Sequence, residues 1–127
     1  MRGNIPDGSK WIKKGGSARY HTDGGITYTT KGGTSVRYGS DGFPDFSPHM
    51  YRGSDGLGSV RINYTGSRTG DFAAANKAAG FADTPAGYTW HHHQDVGLMQ
   101  LIQTSVHKRF SHSGGVSVYK ASGGKGY

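Results

Sequence analysis

The sequence predicts an α+β fold in which a Gly-rich segment with short β-hairpins precedes a helix, a β-hairpin and a second helix. In the first half of the chain, Gly/Asp turns alternate with short runs of β-prone residues. Residues 71–79 are Ala-rich and therefore favour a helix. Two strand-like runs, at 87–93 and 98–102, flank a short turn and precede a second helix-prone stretch.

The composition limits both the size of the protein and its partners. With 127 residues, of which 32% are hydrophobic and 23 are Gly, the chain is long enough for one domain with one core. Because more of the glycine lies in the first half, we expect the denser core in the second half. The formal net charge of +7 favours polyanionic partners such as nucleic acid, anionic lipid or an acidic protein.

Two kinds of feature are absent from the sequence. The chain has no cysteine, which excludes disulfides, cysteine-ligated zinc and a cysteine nucleophile. No apolar run is long enough to span a bilayer, and residues 1–6 lack the apolar stretch of a signal peptide. We therefore expect no membrane insertion by this segment, and export, if any, by other means or as part of a longer chain.

The N-terminal segment is expected to contain short strands and tight turns. The runs 26–30 and 35–38 are rich in β-branched and aromatic residues and predict two strands, and 60–64 predicts another. The expected turns carry Asp-Gly or Gly-Gly pairs and lie at 23–25, 32–33 and 41–42.

The two predicted helices carry end signals. For the Ala-rich run, Asp71 is the expected N-cap and Gly80 the first residue beyond the C-terminal end. Phe72, Ala75 and Ala79 share one face of that helix. The second helix follows the hairpin. Its expected limits are a cap at Thr104 or Ser105, an end near Phe110 and a stop at 113–115, before a strand candidate at 116–119.

Histidines are concentrated around the predicted hairpin. Five of the seven lie between residues 91 and 112, and three of these directly follow Trp90. Imidazole binds borderline divalent metals and exchanges protons near neutral pH, so the cluster indicates a metal-dependent catalytic centre. We interpret Trp90 itself as a core anchor beneath the hairpin.

Spacing limits how these histidines can meet. His107 and His112 would lie roughly 140° apart on a regular helix, so the helix must end between them if both face one ion. We therefore place His107 on the helix and His112 in the turn after it. Strand alternation points His91 and His93 one way and His92 the other. For His91 and His92 to serve one centre, the strand must bend or end there, and the sequence leaves open which is ligand, base or bystander.

These residues carry a resemblance to a known family. Trp90-His91-His92, the run 99–102, His107 and the run 112–115 together resemble the WHH group of HNH/endonuclease VII nucleases, which are common as C-terminal toxin domains of bacterial polymorphic toxins. The resemblance covers about residues 71–119, and the helix at 71–79 matches the family's helix before the hairpin. It implies a small ββα-metal nuclease core at 46–127, with a flexible tail from about 120, after a Gly-rich lead-in at 1–45.

The resemblance also implies roles for individual residues. His91 resembles the ligand on the first strand, and His107 and His112 resemble the ligands on the helix side, of one divalent ion (Mg, Zn, Ni or Mn). His92 resembles the general base. Gln100 stands near the asparagine that orients the base in the wider superfamily, although its spacing to the helix histidine differs.

A nuclease needs cationic contacts to its substrate. Lys108 and Arg109 are candidate phosphate contacts from the helix, and further candidates are Arg52, Arg61 and Arg68. We expect hydrolysis of phosphodiester bonds in DNA. The alternatives are an RNase of the same fold and a non-catalytic, metal-stabilised module that binds nucleic acid.

The biological setting follows from the resemblance and the charge. A toxin domain must be restrained in its producer, so we expect a cognate immunity protein, acidic because the chain is basic. We expect the domain to be delivered from a producing bacterium as part of a larger toxin and to act in the cytoplasm of the target cell.

Overall fold

The Gly/Asp turns of the first half connect the strands of an antiparallel meander. The computed structural model of the protein describes residues 5–110, so His112 and the predicted strand at 116–119 lie outside the described residues. A short helix comes first, and the four strands of the sheet follow in spatial order. These elements are α1 (Gly8–Lys13), β1 (Ser17–Tyr20), β2 (Ile26–Thr29), β3 (Ser35–Tyr38) and β4 (Pro44–Asp45). The predicted strands β2 and β3 are confirmed, whereas α1, β1 and β4 were not predicted.

The three loops of this meander share one geometry. In each loop the first residue donates its N–H to the carbonyl four residues later, and its own carbonyl accepts from a glycine three residues later. That glycine has a φ of 82° to 95°, which a side chain would oppose. The loops are 21–25, 30–34 and 39–43, with Gly24, Gly33 and Gly42 in the left-handed position.

A second, three-stranded antiparallel sheet carries the histidines. Its spatial order is β5-β7-β6, which leaves β6 at an edge. The remaining elements are a 3-10 helix (Ser47–His49), β5 (Ser59–Arg61), α2 (Arg68–Ala79), β6 (Tyr88–His92), β7 (Leu98–Gln103) and α3 (Thr104–Arg109). The predicted α+β class and the order helix, hairpin, helix are confirmed, although β5 ends at Arg61 instead of continuing to residue 64.

The start of α2 differs from the prediction. The helix begins at Arg68, and its N-cap is Ser67, whose hydroxyl accepts a hydrogen bond from the N–H of Gly70. Asp71 therefore lies inside the first turn, and its carboxylate makes tertiary hydrogen bonds instead of capping the helix. Gly80 ends the helix with a φ of 89°, as predicted.

The start of α3 also differs. Its N-cap is Gln103, which makes no capping hydrogen bond through its side chain, so neither Thr104 nor Ser105 caps the helix. The hydroxyl of Thr104 pairs instead with that of Thr89 at 2.7 Å. The N–H of Thr104 donates to the carbonyl of Gly87. α3 follows β7 without an intervening residue, and these contacts join its first residue to β6 and to Gly87 just before that strand.

Two apolar clusters form the described core. One contains Trp90 and lies between the three-stranded sheet and α2; its buried members are Val60, Tyr64, Ala75, Ala79, Trp90, Met99 and Leu101. The other joins the N-terminal sheet to β7 and α3, and its buried members are Tyr28, Val36, Tyr38, Phe46, Ile102, Val106 and Phe110. Among residues 5–110, nine buried apolar side chains lie at or beyond residue 64 and six lie before it, as expected for a denser core in the second half. The aromatic rings of β2 and β3 nevertheless form one side of this second cluster. This cluster also contains residues from both sides of the boundary that the sequence predicted between the lead-in at 1–45 and the core at 46–127.

Within residues 5–110, no helix combines the length and the apolar character that a bilayer crossing requires.

Candidate active site

The rings of His91 and His107 lie side by side on one face of the hairpin. His91 is buried near the end of β6, and His107 lies in α3. Their ring centroids are 5.4 Å apart, with an angle of 65° between the ring planes. Phe46 packs against both rings, with centroid distances of 5.0 Å to His91 and 5.9 Å to His107. Because α3 begins directly where β7 ends, the helix places His107 beside the strand that carries His91.

This separation fits two ligands of one ion. Two imidazoles that bind one tetrahedral ion through nitrogens about 2.1 Å away place their ring centroids on the order of 5 Å apart. Residues 5–110 contain no group of three His, Cys, Asp or Glu side chains that could hold a metal ion. The predicted third ligand, His112, lies outside those residues. The separation of His91 and His107 is therefore that of two ligands of one ion, and residues 5–110 supply no third protein ligand.

The two candidate ligands, His91 and His107, offer nitrogen atoms only. All eight acidic residues of the chain are Asp. Asp95, the carboxylate nearest in sequence to both rings, pairs with Arg61, and Asp45, next to Phe46, accepts hydrogen bonds from Ser47. Imidazole suits ions such as Zn²⁺ and Ni²⁺, whereas Mg²⁺ prefers oxygen ligands.

His92 faces the opposite side of the sheet and meets a buried carboxylate. Its Nε2 lies 3.0 Å from Oδ2 of Asp71, and both side chains are almost completely buried. The other carboxylate oxygen of Asp71 accepts from the N–H and the hydroxyl of Thr65, at 3.0 and 2.8 Å. Since this carboxylate acts as an acceptor, Nε2 of His92 is the donor. A neutral His92 ring then retains a lone pair on Nδ1.

Burial sets the protonation of His92. It lowers the pKa of the ring below the ordinary value of 6.5, because a charged imidazole is disfavoured away from water. The hydrogen bond and the charge of Asp71 act in the opposite direction and offset part of this effect. Tyr64 and Phe72 complete the surroundings, with ring centroids 4.9 and 5.7 Å from that of His92.

A second hydrogen bond fastens α2 to the same strand. Oδ1 of Asn76 accepts from the indole N–H of Trp90 at 2.7 Å. Asp71 and Asn76 are five residues apart on the helix, a rise of about 7.5 Å, and Trp90 and His92 are two residues apart on the strand, a rise of about 6.7 Å. The two spacings match, so the helix holds both side chains of the strand in register. Trp90 is 1% exposed, which confirms its interpretation as a core anchor.

The alternation predicted for the three consecutive histidines is confirmed. The ring of His93 lies 6.3 Å from that of His91, whereas His92 packs against α2. β6 ends at His92, and the chain then turns: Nδ1 of His93 accepts from the N–H of Asp95 at 2.9 Å. Burial also lowers the pKa of His93.

The remaining predicted residues occupy different positions around these faces. Gln100 pairs with His91 across the strands and therefore shares its face, while Met99 stands opposite His92. Arg61 is exposed and forms a salt bridge with Asp95. The guanidinium of Arg68 lies 5.9 Å from the ring centroid of Phe72. Arg52, Lys108 and Arg109 are exposed.

Sequence reasoning missed the role of Asp71 as the partner of His92. A signal for it was present, because residues 71, 75 and 79 recur at the spacing of one helical face. A carboxylate on the same face as two buried alanines faces the interior and needs a partner there. No sequence pattern predicted the contact of Phe46 with His91 and His107, because this contact depends on how the N-terminal sheet packs.

Comparison with known families confirms the resemblance. Residues 80–122 match the WHH family, described as a nuclease of the HNH/ENDO VII superfamily with conserved WHH. The matched segment contains Trp90, His91, His92 and His107 and extends to His112. A comparison with curated proteins gave no match. The hairpin and helix that carry the histidine cluster therefore lie in a segment that is similar to the WHH nucleases of the HNH/ENDO VII superfamily.

Proposed function

We propose that this protein is a metal-dependent endonuclease that hydrolyses phosphodiester bonds in DNA. The observation that carries the proposal is the 5.4 Å separation of the His91 and His107 rings within a segment that matches a nuclease family. The net charge of +7 supports a polyanionic substrate.

In this proposal His91, His107 and His112 hold the ion. A divalent ion in such a site supplies Lewis-acid stabilisation of the charge that develops on the phosphoryl oxygens. Neutral imidazole ligands leave the positive charge of the ion available to the phosphate. Phe46 fixes the relative position of the two described rings by packing against both.

The resemblance makes His92 the first candidate for the general base, acting through Nδ1, although its ring faces α2 and not the rings of His91 and His107. Its Nε2–H is held by Asp71, so the tautomer that can accept a proton is selected. Asp71 touches neither substrate nor ion in this scheme and is a positioning residue. Its own orientation is fixed by Thr65.

His93 is the second candidate for the base. Its ring lies on the same side of the hairpin as that of His91. Nδ1 accepts a hydrogen bond from the backbone N–H of Asp95, so Nε2 is the nitrogen that can exchange a proton. Single His92→Ala and His93→Ala variants separate the two assignments. Loss of the base should reduce the rate of cleavage by roughly 10²- to 10⁴-fold and leave metal binding in place.

Plasmid cleavage tests the function itself. Supercoiled DNA is incubated with the full chain and Mg²⁺, Mn²⁺, Zn²⁺ or Ni²⁺, with and without a chelator. We expect nicking and linearisation that the chelator abolishes and that His91→Ala and His107→Ala remove. His21→Ala is a matched control, because its ring bonds to Thr27 within the N-terminal sheet. Intact plasmid with every metal would contradict the proposal. Preferential cleavage of matched RNA would show that the substrate is RNA and not DNA.

The setting that we propose is a toxin domain, delivered as part of a larger protein into the cytoplasm of a target bacterium. The resemblance to toxin nucleases and the basic charge support it. We further propose an acidic immunity protein as partner. Expression in the bacterial cytoplasm should be toxic for the wild-type chain and harmless for His91→Ala and His107→Ala, and normal growth of cells that express the wild-type chain would contradict the toxin role.

A further inference from the structure

Four cationic side chains from three parts of the chain surround one cavity. The cavity has a volume of about 170 Å³, and Trp11 lies in its wall. Lys14 follows α1, Lys31 lies in the loop between β2 and β3, and Lys108 and Arg109 belong to α3. We call this site the basic cleft, defined by Lys14, Lys31, Lys108 and Arg109.

The charges of the basic cleft are not neutralised by the described part of the chain. All four cations are exposed, and none takes part in a salt bridge among residues 5–110. Residues 1–4 and 111–127 contain no Asp or Glu that could pair with them. Asp7 lines an adjoining cavity together with Lys10, Lys14 and Arg109, but among residues 5–110 it forms a salt bridge with none of them. Its carboxylate is bonded to Ser9 and to the N–H of Lys10. Four like charges around one cavity repel each other unless an anion binds between them.

The wall of the cleft is fixed before any ligand arrives. The indole N–H of Trp11 lies 2.9 Å from the carbonyl of Thr29 and 3.1 Å from that of Ser17. Its ring packs against those of Tyr28 and Phe110, at centroid distances of 5.7 and 5.2 Å. These contacts join α1 to the N-terminal sheet and to the end of α3, so the cations are presented on a rigid frame.

The cleft shares the helix α3 with the proposed ion site. Lys108 and Arg109 follow His107 directly, and successive residues of a helix advance by about 1.5 Å along its axis. A nucleic-acid strand carries one phosphate per roughly 3.4 Å of duplex axis. A strand that runs along α3 from the ion site would therefore place further phosphates beside the cleft.

We propose that the basic cleft binds backbone phosphates of the nucleic acid next to the bond that is cut. Half of this surface, Lys14 and Lys31, lies outside the matched segment 80–122. The Gly-rich N-terminal segment is then part of the substrate-binding surface. The inference rests on the proposed nuclease function, because it takes the substrate to be nucleic acid.

Salt-dependent binding tests the cleft separately from cleavage. Binding of the full chain to a fluorescent DNA duplex is followed by anisotropy at several salt concentrations, with a chelator present to prevent hydrolysis. The double variant Lys14→Gln/Lys31→Gln is compared with Arg19→Gln/Lys77→Gln, which removes two exposed charges outside the cleft. We expect about tenfold weaker binding for the cleft variant and a salt slope smaller by about 2, since each lost phosphate contact reduces the slope by about 1.

Each outcome decides one of the two proposals. Equal affinities and slopes for the cleft variant and the wild type would overturn the cleft proposal, even if the protein cleaves DNA. A lower slope for the cleft variant, without cleavage under any metal, would support the cleft and contradict the nuclease proposal. Poly-L-glutamate is the probe for acidic proteins. If it competes with the duplex as well as unlabelled DNA does at equal charge, the cleft binds acidic protein surfaces and the assignment to nucleic acid is wrong.

Discussion

The carboxylate of Asp71 lies 3.0 Å from Nε2 of His92, although 21 residues separate them in the chain. One residue lies in the first turn of α2 and the other at the end of β6. Because β6 is an edge strand, it has a neighbouring strand on one side only. The hydrogen bond to Asp71 orients the His92 ring. Through this residue, α2 contributes to the candidate active site.

Asp71→Asn tests this positioning role. The amide has nearly the same shape but can no longer select the His92 tautomer as a carboxylate does. We expect kcat to fall by roughly 10- to 100-fold, the range for residues that orient catalytic groups, with KM and Co²⁺ affinity unchanged. Asp83→Asn is the control, since among residues 5–110 no hydrogen bond or ion pair is described for this exposed aspartate. An equal loss of Co²⁺ affinity would show that Asp71 acts on the ion site instead.

The hydrogen bond between Asn76 and Trp90 is expected to contribute to stability. Asn76→Ala leaves a buried indole N–H without its acceptor, which costs about 1–3 kcal/mol of the free energy of unfolding. Denaturant titration measures this loss. Lys77→Ala, at the exposed neighbouring position, should change stability by less than about 0.5 kcal/mol. Similar values for both variants would mean that the hydrogen bond does not hold α2 to β6.

Phe46 links the N-terminal sheet to both described imidazoles. Phe46→Ala removes a fully buried ring and should destabilise the protein by about 3–5 kcal/mol. Phe46→Leu is expected to fold and to bind Co²⁺ less tightly, because the two rings lose the surface that fixes them. Phe43→Leu, at a buried position without a described contact to either ring, is the control for volume loss. Unchanged Co²⁺ affinity in Phe46→Leu would show that Phe46 does not position the two imidazoles.

Acid stability should depend on Asp23. The N–H of Gly25, and in addition the guanidinium of Arg37, hold the pKa of Asp23 below its ordinary value of 3.8. Because the folded-state pKa is the lower one, the unfolded chain binds more protons near that pH. The stabilisation is then present above pH 3.8 and is lost as the pH falls through the folded-state pKa. Asp23→Asn should therefore lower Tm at pH 6, and the difference from wild type should shrink near pH 2. A difference that is constant with pH would contradict this.

The sequence predicted the local elements of the site well, because their signals are local. The apolar runs around the turn at Asp95 predicted β6 and β7, and Gly80 marked the end of α2. The period of a strand correctly separated His92 from His91 and His93. These features depend only on residues within a few positions of each other.

The tertiary contacts were not predictable in the same way. From the sequence, Asp71 could be either the N-cap of α2 or a buried residue inside it. In the structure Ser67 is the N-cap, so Asp71 lies within the helix and is buried. Tyr28 and Tyr38 lie in a polar, Gly-rich segment, so their burial depends on the packing of that sheet against β7 and α3. The basic cleft combines residues from three distant parts of the chain, which charge counts alone cannot place.

The most direct test of the account is the number of imidazoles around one bound ion. X-ray absorption at the metal edge, on the full chain with one equivalent of Zn²⁺ or Co²⁺, counts histidine nitrogens at about 2.0–2.1 Å. We predict that His91→Ala and His107→Ala each remove one imidazole from the shell, while His21→Ala leaves it unchanged. An identical shell in the wild type and in both site variants would contradict the claim that His91 and His107 bind the same ion.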